Sequence, residues 1–163
     1  MIYMSLIFSY LNYCNLIWGS ACNSTLEPLF RLQKKAISLV NNTHYLDHTA
    51  PIFKSLEILT LHDVFKLNCL IFIYKCVKKN KFPNFSNRFL RNSDVHHHNT
   101  RNNEQFRLPR GRLRIFRDAY FVKGLTLWNA LDPVIINSSD IINCFRKKAL
   151  YSRRGSKYQY CEV

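Results

Sequence analysis

Residues 63–79 constrain the fold more than any other stretch of this chain. Val64, Phe65, Leu67, Leu70, Ile71, Phe72, Ile73, Tyr74 and Val77 fall on most sides of a helical wheel. A helix that is apolar nearly all round must lie at the centre of a core, because no face of it can be left to water. Thr60 with Asp63 three residues on reads as a capping box at its start. Lys78, Lys79 and Lys81 end it with cations, which the helix dipole favours there. Cys69 and Cys76, two turns apart, lie on one side of it and read as structural thiols. The remainder of the chain has to supply the surfaces that cover this helix.

The other segments read as helices too. The 163 residues include only four Gly and five Pro, and 47% are hydrophobic and 14% aromatic. That composition disfavours a turn-rich β-sandwich and disorder alike. Residues 2–18 form an apolar run with no charged side chain before Glu27. A membrane span needs about 20 such residues, but Ser5, Ser9, Asn12 and Asn15 interrupt this run and no basic flank precedes it. A buried core helix is expected, not a span or a signal peptide. Its abrupt, uncapped start reads as a chain that begins inside a domain. Without a secretion signal the expected location is intracellular, in nucleus or cytoplasm.

A second helix starts at Ser24 or Thr25, with Glu27 completing a capping box and Pro28 in the first turn. Leu26, Leu29, Phe30, Ala36, Ile37 and Val40 face inward. A short helix follows from Thr49 to about Leu56. Residues 82–105 lack periodicity and read as an exposed loop or a partly ordered linker. Asp118–Leu131 is a further helix, with Trp128 inside the core and not on a base. Ser138 or Ser139 caps a last one that turns Ile141, Ile142, Phe145 and Leu150 inward, before a frayed tail over 152–163. The expected architecture is mainly α: a helical bundle with a basic irregular loop and a short β-hairpin near 106–116. It divides into a helical region 1–79, a basic region 80–117 and a C-terminal helical pair 118–163.

The charge is large and localised. The net is +14, and residues 78–117 hold eleven basic and two acidic residues. A concentrated positive field attracts polyanions, nucleic acid above all. Within it, Leu108-Pro109-Arg110-Gly111 has turn chemistry. Arg112 and Arg114 then alternate with Leu113 and Ile115, so a strand would put arginines on one face and apolar side chains on the other. The guanidinium fork suits phosphate oxygens. Arg101, Arg107, Arg110, Arg112, Arg114 and Arg117 are the candidate phosphate contacts here. Arg31, Lys34 and Lys35 form a second basic cluster off the apolar stripe of their helix. A solvated helix face or edge hairpin would show the same patterns, so the residues alone leave both readings open.

Catalytic motifs are missing from the sequence. It has no phosphate-cradling glycine loop and no nucleophile elbow. Its ten acidic residues are scattered, whereas two-metal phosphoryl transfer needs clustered carboxylates. The six cysteines, at 14, 22, 69, 76, 144 and 161, make no C-x-x-C pair and read as buried free thiols in a reducing compartment. His44 with His48, and His96-His97-His98, are poor metal geometries. No metal, cofactor or small-molecule substrate is expected.

Several stretches, in order, resemble the C-terminal part of non-LTR retrotransposon polyproteins of the jockey-like kind. They are Leu11-Asn12-Tyr13-Cys14-Asn15-Leu16-Ile17-Trp18-Gly19, Leu32-Gln33-Lys34-Lys35-Ala36-Ile37, His48-Thr49-Ala50-Pro51-Ile52-Phe53 and Leu56-Glu57-Ile58-Leu59. Then come Tyr74-Lys75, Asn99-Thr100-Arg101, Gly124-Leu125-Thr126-Leu127-Trp128-Asn129-Ala130-Leu131 and Phe145-Arg146-Lys147. Together they span about residues 3–150. The resemblance implies a piece of a reverse transcriptase, an RNA-directed DNA polymerase, lying after the catalytic palm. Its first two helices would belong to the thumb, which grips the template–primer duplex. The partners implied are RNA or an RNA–DNA hybrid, and a polymerase palm and fingers absent from this chain. The family's paired catalytic aspartates have no counterpart here, so the resemblance implies a truncated or decayed copy, or a partial gene model, that is not an enzyme by itself.

Overall fold

A computed structural model describes residues 3–43, 47–79, 81–86, 89–95, 101–131, 136 and 143. Within them the chain is mainly helical. A π-helical segment, Tyr3–Phe8, leads into α1 (Ser9–Asn12), α2 (Asn15–Trp18), α3 (Asn23–Val40), α4 (Thr49–Ser55) and α5 (Leu61–Val77). Four more follow: α6 (Pro83–Ser86), α7 (Asn92–Val95), α8 (Arg114–Arg117) and α9 (Tyr120–Asn129). The expected last helix from Ser138 or Ser139, the tail 152–163, His44, His96–His98, Cys144 and Cys161 lie outside the described residues.

The centre is where the periodicity put it. Along α5, Val64, Phe65, Cys69, Leu70, Ile73 and Cys76 are buried. Thr60 sits at its N-cap, and its hydroxyl donates to the Asp63 carboxylate at 2.7 Å. One core cluster joins Leu70 and Ile73 of α5 to Phe106 and to Leu125, Trp128 and Leu131, thus drawing on all three of the expected regions. Helices α5 and α9 approach closely because position 124 is glycine. A Cβ there would come within 2.8 Å of Ile73 Cγ1 and 3.1 Å of the Cys69 carbonyl oxygen. A second cluster gathers Tyr3, Ile37, Ile52, Phe53 and Ile58, and a third Leu11, Leu26 and Leu61.

Gln33 ties these layers together. It is buried on α3, and its Nε2 donates to the Tyr3 hydroxyl at 2.8 Å and to the Leu59 carbonyl at 3.0 Å. Its Oε1 accepts from the Leu61 N–H at 2.9 Å. One amide thereby joins the N-terminal segment, α3 and the entry to α5. Burial pushes the Tyr3 phenol above its ordinary pKa, against a smaller opposing effect of the Gln33 hydrogen bond.

Several expectations are corrected. Residues 2–18 do not make one buried helix: the chain breaks at Tyr13 and Cys14, and Cys14 adopts a left-handed conformation at φ 48°. Side chains take up the carbonyls that the break frees. Trp18 Nε1 donates to the Tyr13 carbonyl at 2.7 Å, and Asn15 Nδ2 to that of Leu11 at 3.2 Å. Leu6, Tyr10, Tyr13 and Ile17 are between 61% and 81% exposed. Helix α3 starts at Asn23 with Cys22 as its N-cap, so Pro28 lies beyond the first turn. Pro28 cannot bond back to the Ser24 carbonyl, and since Ser24 is exposed, water can serve that oxygen. Of the four described cysteines, Cys14 and Cys22 are exposed free thiols, whereas Cys69 and Cys76 are buried.

The hairpin over 106–116 is absent as well. Among the described residues the β-structure is a single antiparallel bridge between Arg91 and Phe106. The Arg112–Ile115 alternation leads into the helical turn α8, with both Leu113 (69%) and Ile115 (79%) exposed. An isolated two-stranded hairpin is marginal in water. Here Gly111 and Phe116 curl against each other and Phe116 packs edge-on to Phe121 at 5.6 Å. The described part of 82–105 contains two short helices, α6 and α7, in the stretch expected to be an exposed loop or a partly ordered linker.

Candidate nucleic-acid interface

Nine basic residues were singled out in the sequence, and the structure places them in two areas. Arg31, Lys34 and Lys35 lie on α3. Arg31 is exposed and pairs with Glu27 one turn back, Nε to Oε1 at 3.2 Å. The Lys34 ammonium sits over the Phe30 ring, 4.2 Å from its centroid. Lys35 is exposed.

Arg101, Arg107, Arg110, Arg112, Arg114 and Arg117 are all exposed, on the segment that leads into α9. Arg114 pairs with Asp118, Nε to Oδ2 at 3.3 Å, one turn along. The other five have no ion pair among the described residues. Surface pairs such as those of Arg31 and Arg114 are worth about 0–1 kcal/mol, so a phosphate can displace their carboxylates cheaply. Among the described residues the remaining guanidiniums have no carboxylate to give up before meeting an anion.

This arginine-bearing segment is fixed to the core at Phe106. The Asn92 N–H donates to the Gln105 carbonyl at 3.0 Å, and the Arg107 N–H to that of Leu90 at 2.8 Å. Phe106 turns its own backbone groups the other way. Its N–H donates to Asn129 Oδ1 at 3.0 Å, and its carbonyl accepts from Asn129 Nδ2 at 2.8 Å. Residues 105–107 are thus bonded on both edges, by 90–92 on one side and by a single α9 amide on the other. The Phe106 ring is buried in the same cluster as Trp128, and its backbone N–H and carbonyl are both paired, as a buried position requires. Arg91 adds a 2.7 Å ion pair to Glu104 and lies over the Phe106 ring, 5.8 Å from its centroid.

One contact relates the two areas. Arg114 is near enough to Cys22, at the N-cap of α3, for its charge to act on that thiol. Hydrogen bonding to the Ser24 and Thr25 hydroxyls and the Thr25 N–H lowers the Cys22 pKa to about 7, and the Arg114 charge adds to this. The Cys22 sulfur lies 3.1 Å from Ser24 Oγ and 3.0 Å from Thr25 Oγ1. Of the C-terminal arginines, it is Arg114 whose charge acts at the beginning of α3.

Trp128 is buried in the core and offers no face to a base. A third basic group escaped the site reading, although its residues were read as a helix terminus: Lys75, Lys78, Lys79 and Lys81 are all exposed around the end of α5. Charge density alone could have flagged it. Lys79 lies over the Tyr74 ring, 5.9 Å from its centroid. Among the described residues no three His, Cys, Asp or Glu side chains converge in a way that could hold a metal ion, and no helix is long and apolar enough to cross a membrane. Comparison with protein families, with curated proteins and with solved structures finds no match to this chain.

Proposed function

We propose that this chain is a non-catalytic portion of a non-LTR retrotransposon reverse transcriptase that grips the phosphate backbone of RNA or an RNA–DNA hybrid. The observation that carries the binding is the exposed arginine segment 101–117. Five of its guanidiniums lack an ion pair among the described residues, and the Asn129 clamp fixes it to the core. The family rests on the ordered motifs of the sequence. Two residues of those motifs, Gln33 and Asn129, make the hydrogen bonds that join distant segments. In this reading the chain holds nucleic acid inside the cell for a polymerase palm and fingers located elsewhere, and performs no chemistry of its own.

Salt-titrated fluorescence anisotropy with RNA and with an RNA–DNA hybrid tests it. Each neutralised phosphate releases counterions, so five to six contacts give a slope of log K against log[salt] of about −4 to −5. Replacing Arg107, Arg110 and Arg112 with Ala reduces the magnitude of that slope by about 2–3. Absence of binding at low salt overturns the proposal.

A second reading, a helical interaction module, is favoured by a specific observation. Leu6, Tyr10, Tyr13 and Ile17 are all exposed on the broken N-terminal segment. Four large exposed apolar side chains within so short a segment suit a surface that packs on a partner. It predicts concentration-dependent association of the isolated chain, which sedimentation velocity checks. Loss of association when these four positions become Ser supports it, and a monodisperse wild-type monomer counts against it.

A further inference from the structure

A cleft of roughly 270 Å³ opens where the broken N-terminal helix crosses α5. Three amides, those of Asn12, Asn15 and Asn68, are among its lining side chains. Asn68 Nδ2 donates to Asn12 Oδ1 at 2.9 Å and reaches Asn15 Oδ1 at 3.4 Å. That arrangement leaves an amide donor on Asn12 and an amide acceptor on Asn68 without a partner among the described residues. Its wall is aromatic. After α5 the Lys81 N–H bonds back to the Lys75 carbonyl at 3.1 Å, which reverses the chain and lays Phe82 on Phe72. The two rings stack at 5.8 Å with an interplanar angle of 27°, and Phe82 is 42% exposed. Its rim carries Lys75, with three more exposed lysines on the following turn.

We infer that this cleft receives one unstacked nucleobase of a single strand. Phe82 stacks on the base, and the free amide groups of Asn12 and Asn68 meet its hydrogen-bonding edge. Lys75 meets the phosphate beside it. Each part answers a different portion of a nucleotide: a ring face for the π-face that every base has, a donor and an acceptor for its edge, and an ammonium for its phosphate. A duplex cannot enter, because its bases are paired and stacked. The cleft therefore adds a single-strand preference that phosphate contacts at the arginine segment cannot supply. The inference rests on the nucleic-acid reading above, and the test separates the two.

The test compares a short single strand with an abasic strand of the same length, which keeps the phosphates and lacks the bases. Anisotropy with the full chain at low salt is expected to show the base-bearing strand bound about tenfold more tightly, within the range for stacking of one base on an aromatic ring. Phe82→Ala brings the two strands level by weakening only the base-bearing one, while Phe82→Trp keeps the difference. Circular dichroism checks that the helices persist in both variants. On the wild-type protein, a 2-aminopurine in the strand changes its fluorescence on binding as it leaves its neighbours and stacks on the ring. Equal affinity for the two strands in the wild type, or an unchanged preference in a folded Phe82→Ala, overturns the base site and leaves backbone binding standing. Failure of both strands to bind overturns both.

Discussion

At the scale of single residues, the tightest constraints come from side-chain amides that stand in for backbone. Gln33 satisfies the Leu61 N–H and the Leu59 carbonyl inside the core. Gln33→Leu fills the space but leaves both buried groups bare, and each orphan costs about 1–3 kcal/mol. Urea unfolding is expected to register a loss of about 3 kcal/mol in total. Cys22 gives a second residue-scale expectation. Its pKa near 7 means that the reactive thiolate dominates above neutrality, so alkylation by iodoacetamide rises through about pH 7. Burial pushes Cys69 up to about 12, so Cys69 remains a thiol and resists until the protein unfolds. Mass spectrometry of protein alkylated across a pH series distinguishes the two. Equal labelling of Cys22 and Cys69 at neutral pH would contradict the structure.

At the scale of elements, packing overrides local preference in both directions. Gly124 lowers the helix propensity of α9, and alanine would restore about 1 kcal/mol on propensity alone. The added methyl would meet Ile73 and the Cys69 backbone, and backbone cannot swing aside. Overpacking of this kind costs about 1–3 kcal/mol, so Gly124→Ala is expected to lower Tm, as thermal unfolding by circular dichroism would show. The arginine segment is the converse case. Its period of two suits a strand, yet α8 is helical, and among the described residues no strand pairs with it. What fixes this segment is the Asn129 clamp on Phe106. Asn129→Ala is expected to speed amide exchange at Phe106 and Arg107 while leaving α5 protected, measured by hydrogen–deuterium exchange.

At the scale of the whole molecule, charge and core are separated along the chain. The first 26 residues carry no charged side chain, and residues 78–117 hold eleven of the 24 basic ones. The steep salt dependence expected of nucleic-acid binding is a property of this distribution, not of one residue.

The central helix α5 was legible from the sequence, because an apolar surface over most of its circumference has to be covered by the rest of the chain. Trp128 in the core and the polar-to-apolar passage from the arginines into α9 were legible for the same reason. The break at Cys14, by contrast, depends on Asn15 and Trp18 reaching back to carbonyls that a continuous helix would have used. The joint at Phe106 depends on an amide 23 residues away. The cleft at Asn68 exists only because three segments meet: the broken N-terminal helix, α5 and the reversed chain at Phe82. Hydrophobic periodicity and net charge are sums over neighbouring residues, so the sequence by itself determined which helix is central and where positive charge gathers. Hydrogen bonds between distant side chains and backbone have no such periodic signature. Only the tertiary structure decided where helices break, what holds the arginines and which amides are left to meet a ligand.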